Sequence, residues 1–274
     1  MDMKKVWAVY FSATGTTKKV TEALAQKMAR DLKAEYKVFD FTLPTGREVK
    51  QTFNTEDIVI FGVPVYAGRV PNVLLKYLAT IRGNGALCVP VVLFGNRDFD
   101  DALIELKDIL RGNGFLPVAA AAFVGEHAFS DVLAKGRPDE ADMEKVQAFA
   151  QAAAKKAAAL QRVSKMDIAV DGTPYPYRGY FVPRDRAGNA VDIRKVKPLL
   201  SDACNDCKIC ADVCPMGSID YQNVREYTGI CIKCGACIKK CPQGARYYDD
   251  AGYLYHKREL EEGLSLRTEP KLFW

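Results

Sequence analysis

Apolar runs and helical stripes alternate along the first 160 or so residues. Positions 6–11 form a short apolar run, and 16–31 then carry Val20, Leu24, Ala25 and Met28 at helical spacing. Positions 36–41 alternate as a second strand. Asp-Ile-Val-Ile-Phe-Gly-Val at 57–63 is β-branched and continuous, as a strand buried on both faces requires. Positions 71–81 predict a helix with proline near its start. A fourth strand follows at 86–95, a helix at 100–111, a fifth strand at 116–124 and an alanine- and lysine-rich helix at 138–162. Strands alternating with crossover helices predict an α/β fold with a doubly wound, five-stranded parallel sheet. One helix is missing from this pattern, because only residues 42–56 join the second strand to the third.

The pattern then breaks. Between 171 and 198 lie four prolines and three glycines, with Tyr175, Tyr177, Tyr180 and Phe181 among them. A free linker would be polar, so these aromatics predict a segment that packs on something. Two readings stand: a clasp over the sheet, or Tyr175 and Tyr177 placed to narrow a gap that electrons cross. Beyond it, eight of nine cysteines form two copies of one pattern, offset by 27 residues between 204 and 231. The first reads Cys204-x2-Cys207-x2-Cys210-x3-Cys214-Pro215, the second Cys231-x2-Cys234-x2-Cys237-x3-Cys241-Pro242.

Three thiolates at three-residue spacing wrap a cubane [4Fe–4S] cluster, while the fourth points elsewhere. Structural zinc uses two Cys-x2-Cys knuckles a dozen or more residues apart, and disulfides need an oxidising compartment. The third cysteine and the closing Cys-Pro of each run favour clusters over both. The stretch 199–248 resembles a bacterial-type ferredoxin with two [4Fe–4S] clusters. In such ferredoxins the fourth cysteine crosses to the other cluster. The resemblance therefore assigns Cys204, Cys207, Cys210 and Cys241 to one cluster, and Cys231, Cys234, Cys237 and Cys214 to the other.

In an open parallel sheet, ligands sit beyond the carboxyl ends of the strands. After the first strand, Ser12-Ala13-Thr14-Gly15-Thr16-Thr17 opens a helix. It is neither a Walker A loop nor Gly-x-Gly-x-x-Gly. Its four hydroxyls around one glycine suit a terminal phosphate held by backbone N–H groups and the helix dipole, beyond what an N-cap alone needs. Pro64-Val65-Tyr66-Ala67-Gly68 follows the third strand, and Gly95-Asn96-Arg97-Asp98-Phe99 the fourth.

These three loops, within residues 4–162, resemble flavodoxin. The resemblance implies that Ser12, Thr14, Gly15, Thr16 and Thr17 hold FMN phosphate. It also implies that Pro64, Val65, Tyr66, Ala67 and Gly68 form one wall of the ring site, with Gly95, Asn96, Arg97 and Phe99 on the other side. Tyr66 and Phe99 both qualify as the stacking aromatic. Gly68 suits either a peptide flip or a tight turn. Arg97 faces the pyrimidine edge or solvent.

Composition narrows the class. The 274 residues carry a net charge of +5 and no basic run with interleaved aromatics, so nucleic acid is not expected. No apolar run long enough to span a membrane is present, and the start of the chain lacks signal-peptide form, so a cytoplasmic protein is expected. The first 197 residues hold 29 basic and 23 acidic side chains, whereas the rest hold 10 and 11. Flavodoxins are typically acidic, so this positive balance departs from the resemblance. Cys88 reads as a buried inert thiol, His127 as structural or as a donor at the ligand edge, and 272–274 as a tail that docks on a domain.

The expected organisation is a flavodoxin-like FMN domain at 1–162, a connector at 163–198, and a small α+β two-cluster ferredoxin domain with its tail at 199–274. The two resemblances together look like the fused flavodoxin–ferredoxin proteins of anaerobes. They imply electron transfer between FMN and two [4Fe–4S] clusters, with redox partner proteins outside. The alternative is a cluster-fed flavin reductase acting on a small acceptor such as a quinone.

Overall fold

The computed structural model describes residues 5–160 and 167–274. The domain boundary at 162/163 and the last residues of the expected 138–162 helix fall partly outside them. In chain order come β1 (Lys5–Tyr10), α1 (Thr16–Leu32), β2 (Glu35–Asp40), β3 (Asp57–Pro64), α2 (Leu75–Leu78) and β4 (Leu87–Phe94). α3 (Ala102–Gly112), β5 (Leu116–Pro117), β6 (Ala120–Val124) and α4 (Glu140–Ala159) complete the first unit. The second holds β7 (Leu199–Leu200), α5 (Ile209–Asp212), α6 (Ala236–Lys239), β8 (Arg246–Tyr247) and α7 (Ala251–Gly263), and β9 (Lys271–Phe273) follows in chain order.

The main sheet runs β2-β1-β3-β4-β6-β9, parallel except for β9, and β5 also pairs with β4. Its parallel part has the doubly wound order expected of the first unit. β3 and β4 are buried almost throughout because helices cover both faces. One core lies between the sheet and α3, and the other between the sheet, α1 and α4.

Three expectations change. The fifth strand is split into β5 and β6, and the cause lies in β4. Cys88 and Phe94 direct their carbonyls toward this strand, accepting from Val118 and Gly125. Pro90, on the same alternation, faces the same side without an N–H, and the gap at 118–119 lies opposite it. The helix expected at 71–81 reduces to a 3₁₀ turn, Asn72–Leu74, and the four residues of α2. Finally, the tail is part of the sheet rather than of the cysteine-rich unit. β9 pairs antiparallel with β6, and the Trp274 ring lies 4.9 Å from that of Phe149. The short 42–56 link contains a 3₁₀ turn, Pro44–Arg47, and a single bridge from Thr52 to Arg82.

Candidate cofactor sites

The two cysteine runs are superposable in backbone as well as in sequence. Left-handed residues recur 27 apart, at Asp206 and Lys233, Lys208 and Gly235, Gly217 and Gly244. The short helices α5 and α6 start after the second of these pairs. Ser218 N–H donates to Cys214 Sγ at 3.4 Å, and Ala245 N–H donates to Cys241 Sγ at 3.3 Å, again 27 apart. Each fourth cysteine is thus turned by its Cys-Pro-x-Gly sequence and held by an N–H group three residues beyond the proline.

The thiols line two cavities in crossed sets. Cys204, Cys207, Cys210 and Cys241 surround one, and Cys214, Cys231, Cys234 and Cys237 the other. Among the described residues no three His, Cys, Asp or Glu side chains converge closely enough for a single ion. Four thiols ringing a cavity are instead a donor set for a multi-iron cluster. Burial pushes the Cys234 thiol up to about 12 and raises that of Cys237 further. Such thiols ionise only when a bound cation compensates the charge.

The two cavities have different neighbours. Cys207 of the first is exposed, whereas Cys234 of the second is buried. Cys234 and Ala236 belong to the core beneath β3 and β4, where Val65 and Tyr66 also pack. Burial raises the Tyr66 phenol, and Cys234 and Cys231 beside it act in the same direction. A Cβ on Gly235 would stand 2.7 Å from the Ala128 carbonyl oxygen, so α6 meets the loop after β6 backbone to backbone. Lys239 Nζ donates to Glu126 at 3.1 Å and to Ser130 O at 3.0 Å. Arg47, in the short link after β2, donates to Phe41 O and Thr42 O on one side and to Pro215 O on the other.

The first loop keeps an open cradle. Gly15 caps α1 at φ +103°, and nothing lies within 4 Å of where its Cβ would stand. Ser12 Oγ accepts the Lys18 N–H at 2.9 Å, and Thr42 Oγ1 accepts the Ser12 N–H at 2.8 Å. The first intrahelical bond runs from Lys19 N–H to Gly15 O, which leaves the Thr16 and Thr17 N–H groups without helical acceptors. Thr14 and Thr16 are half-buried at its rim, while Thr17 is buried. These donors and the positive end of α1 suit a phosphate.

The second loop is a tight turn. Tyr66 and Arg69 exchange backbone hydrogen bonds across Ala67 and Gly68, whose φ angles are +51° and +77°, as in a type I′ turn. Ala67 O accepts from Phe181 N–H and Gly68 O from Asp101 N–H, so both carbonyls are engaged and the tight-turn reading of Gly68 fits. Pro64 and Val65 are half-buried at the end of β3.

The third loop corrects the sequence reading. Phe99 is 2% exposed and packs between Phe94 and Phe273, with ring centroids 5.7 and 6.4 Å away, so it is core and not a stacking platform. Tyr66 remains as the wall aromatic. Asn96 Nδ2 donates to Leu264 O and Leu266 O, both at 2.8 Å, and its Oδ1 accepts from Thr268 N–H. Arg97 pairs with Asp100 and lies over the Phe181 ring at 4.6 Å. The side chains of Asn96, Arg97 and Phe99 thus serve the protein, and the half-buried Gly95 backbone is what this loop retains for a ligand.

The connector is a clasp. Asp101, fully buried, accepts from the N–H groups of Thr173 and Arg178 and from the Arg178 guanidinium at 2.7 Å. Burial alone would raise its carboxyl, but these bonds outweigh it and hold it down at about 2. Tyr177 donates to Asp108 on α3, and Tyr180 donates to Val70 O. Tyr175 is 80% exposed and Tyr177 is bonded to Asp108, so the contacts of the two fit the clasp reading.

Sequence reasoning missed His256, which stacks on Phe181 with centroids 6.0 Å apart and also meets Phe129. Its polar surroundings in the chain carry no signal, because α7 and the connector meet only in three dimensions. His127 takes the structural reading. Its Nδ1 accepts the Phe129 N–H at 3.1 Å, and burial lowers it to about 4. Cys88 is fully buried in β4 and burial raises its thiol, in line with an inert role.

A family model describing a flavodoxin domain matches residues 8–88, and one describing a 4Fe-4S dicluster domain matches residues 203–246. Similar solved structures include a flavodoxin from the domain Archaea, at 15% identity over 56% of this chain and 97% of that chain, with a TM-score of 0.39. The flavodoxin of Streptococcus pneumonia TIGR4 is 22% identical over 56% of this chain and 99% of that chain, with a TM-score of 0.39. Rubredoxin oxygen:oxidoreductase from the anaerobe Desulfovibrio gigas is 22% identical over 57% of this chain and 38% of that chain, with a TM-score of 0.41. No curated protein matches the chain. Flavodoxin and 4Fe-4S domains on one chain support a role in flavin and iron–sulfur electron transfer, and no helix among the described residues is long and apolar enough to cross a membrane.

Proposed function

We propose that this chain is an electron carrier in which FMN and two [4Fe–4S] clusters exchange electrons within one molecule. The observation that carries the reading is that Cys234 lies in the core on which Val65 and Tyr66, the proposed ring wall, also pack, with Cys234 and Cys231 close enough to act on the Tyr66 phenol. When bound, each cluster supplies one-electron chemistry and FMN one- or two-electron chemistry. Ser12, Thr14, Gly15, Thr16 and Thr17 would hold the phosphate. Pro64 to Gly68 and the Gly95 backbone would flank the ring.

The Gly235–Ala128 contact holds α6 against the loop after β6 and so helps keep the second cavity beside Tyr66. The first cavity, with exposed Cys207, is the end that faces a redox partner protein. Fixed docking replaces diffusional encounter between the two modules. Thiolate ligands of this kind suit a reducing compartment such as the cytoplasm.

Reduction of a small acceptor such as a quinone is the competing reading. Phe181, Arg97 and the 264–268 segment cover the loop after β4, which favours a carrier over an open substrate site. Protein purified without oxygen is expected to hold roughly eight iron, eight sulfide and one FMN per chain. Zinc in place of iron, or no flavin, overturns the proposal, and rapid steady-state quinone turnover moves it to the reductase.

A further inference from the structure

Among the positions that line both cavities and differ between the two copies of the 27-residue repeat, one sets a buried cation against an apolar side chain. Ile219 lies in the wall of the second cavity, and its counterpart Arg246 lies in the wall of the first. Arg246 is 2% exposed, an unusual place for a guanidinium without a carboxylate. Its Nη1 donates to Tyr227 Oη at 2.8 Å, and its Nη2 donates to Val224 O and to Cys210 Sγ, the latter at 3.4 Å. Its Nε is buried with no partner. None of these partners carries a compensating charge except a thiolate. A buried cation needs a counter-charge, and a buried N–H needs an acceptor. The protein supplies neither in full.

We infer that Arg246 is the counter-ion of the cluster held by Cys204, Cys207, Cys210 and Cys241, and that it sets this cluster apart from its repeat mate in reduction potential. The inference rests on the two-cluster reading above. One-electron reduction adds one negative charge to a cluster. A guanidinium bonded to Cys210 Sγ stabilises that charge most strongly; Cys237 of the other set feels it only through space, and Ile219 adds no cation there. The second cavity has no charged side chain in its wall. Lys233 and Lys239 approach it from outside, bonded to the Cys231 and Arg194 carbonyls and to Glu126 and Ser130 respectively. Lys208 also lines the first cavity, but its ammonium is paired with Asp206. The distal cluster therefore takes the first electron, and the one beside the flavin wall takes the second.

The test is an anaerobic redox titration followed by EPR, on wild-type protein, Arg246→Met and Arg246→Lys, each with iron and sulfide counted. Wild type is expected to show two midpoints. Met should move the higher one down toward the other, and Lys should restore part of the gap. Unchanged midpoints, or equal shifts of both in fully loaded Met protein, overturn the inference. Should the Met variant lose iron, wild-type protein labelled with 15N-arginine decides the matter. A 15N coupling to the first cluster reduced is expected, and its absence overturns the inference. Absence of two cluster signals in loaded wild type would instead sink the two-cluster reading itself.

Discussion

Lys208 and Gly235 hold the same left-handed turn in the two copies of the cysteine run, with φ angles of +64° and +74°, yet they look onto different worlds. Lys208 reaches Asp206 and Gln222 O at the protein surface. Gly235 has no side chain, and the Ala128 carbonyl occupies the space one would need. The same contrast repeats at Cys207 and Cys234, while Arg246 and Ile219, both buried, add a contrast in charge. One motif thus builds two sites with different access and different charge. Backbone geometry is set by the repeat, whereas redox character and partner are set by the few positions where the repeat fails.

Removing a buried ligand tests this contrast most severely. Cys234→Ala is expected to lower iron from about eight to about four per chain and to stop cluster-to-flavin transfer. Iron analysis with stopped-flow flavin absorbance checks it. Gly235→Ala comes next: left-handed backbone costs a residue with a Cβ about 1–2 kcal/mol, and the clash with Ala128 adds to it. Denaturant unfolding should show the loss, with slower transfer to the flavin, whereas Lys208→Gly should leave transfer unchanged. Such an outcome for Gly235 alone would sharpen the comparison; equal effects would break it.

The connector gives a similar but smaller effect. Asp101→Asn should cost about 2 kcal/mol through weakened charge-assisted bonds, read as faster amide exchange across 173–181. Because this carboxyl is held down at about 2, its contribution is complete above the ordinary carboxylate range near about pH 4 and is lost as pH falls toward 2. Exchange of the clasp amides should therefore rise on acidification in wild type and much less in the variant. Glu126→Gln is the smallest, about 0.5 kcal/mol, since its pair with Lys239 is partly open to solvent.

Much of this was legible in the chain. Hydrophobic periodicity placed the sheet, because strands buried on both faces must read as continuous apolar runs, as β3 does. The cysteine spacing showed the two runs, whereas which thiols meet came from the resemblance to two-cluster ferredoxins. What could not be read was whatever depends on meeting in space. Phe99 looked like a ring-stacking aromatic because its loop position is right, but β9, 170 or so residues later, closes over it. Asn96 is likewise captured by 264–268. The split of the fifth strand follows from Pro90 on its neighbour, which only strand alternation and pairing reveal. The placement of the second cavity beside Tyr66 has no sequence signal, because Gly235 reads equally well as a turn glycine.

The most direct test of the central claim is an anomalous-difference map at the iron edge from crystals grown without oxygen. The account predicts two four-iron centres, one in each crossed cysteine set. The centre held by Cys214, Cys231, Cys234 and Cys237 should lie nearer the FMN ring, with the phosphate at Ser12–Thr17. A single centre, uncrossed ligation, or the Cys207 centre lying nearer the flavin would contradict it.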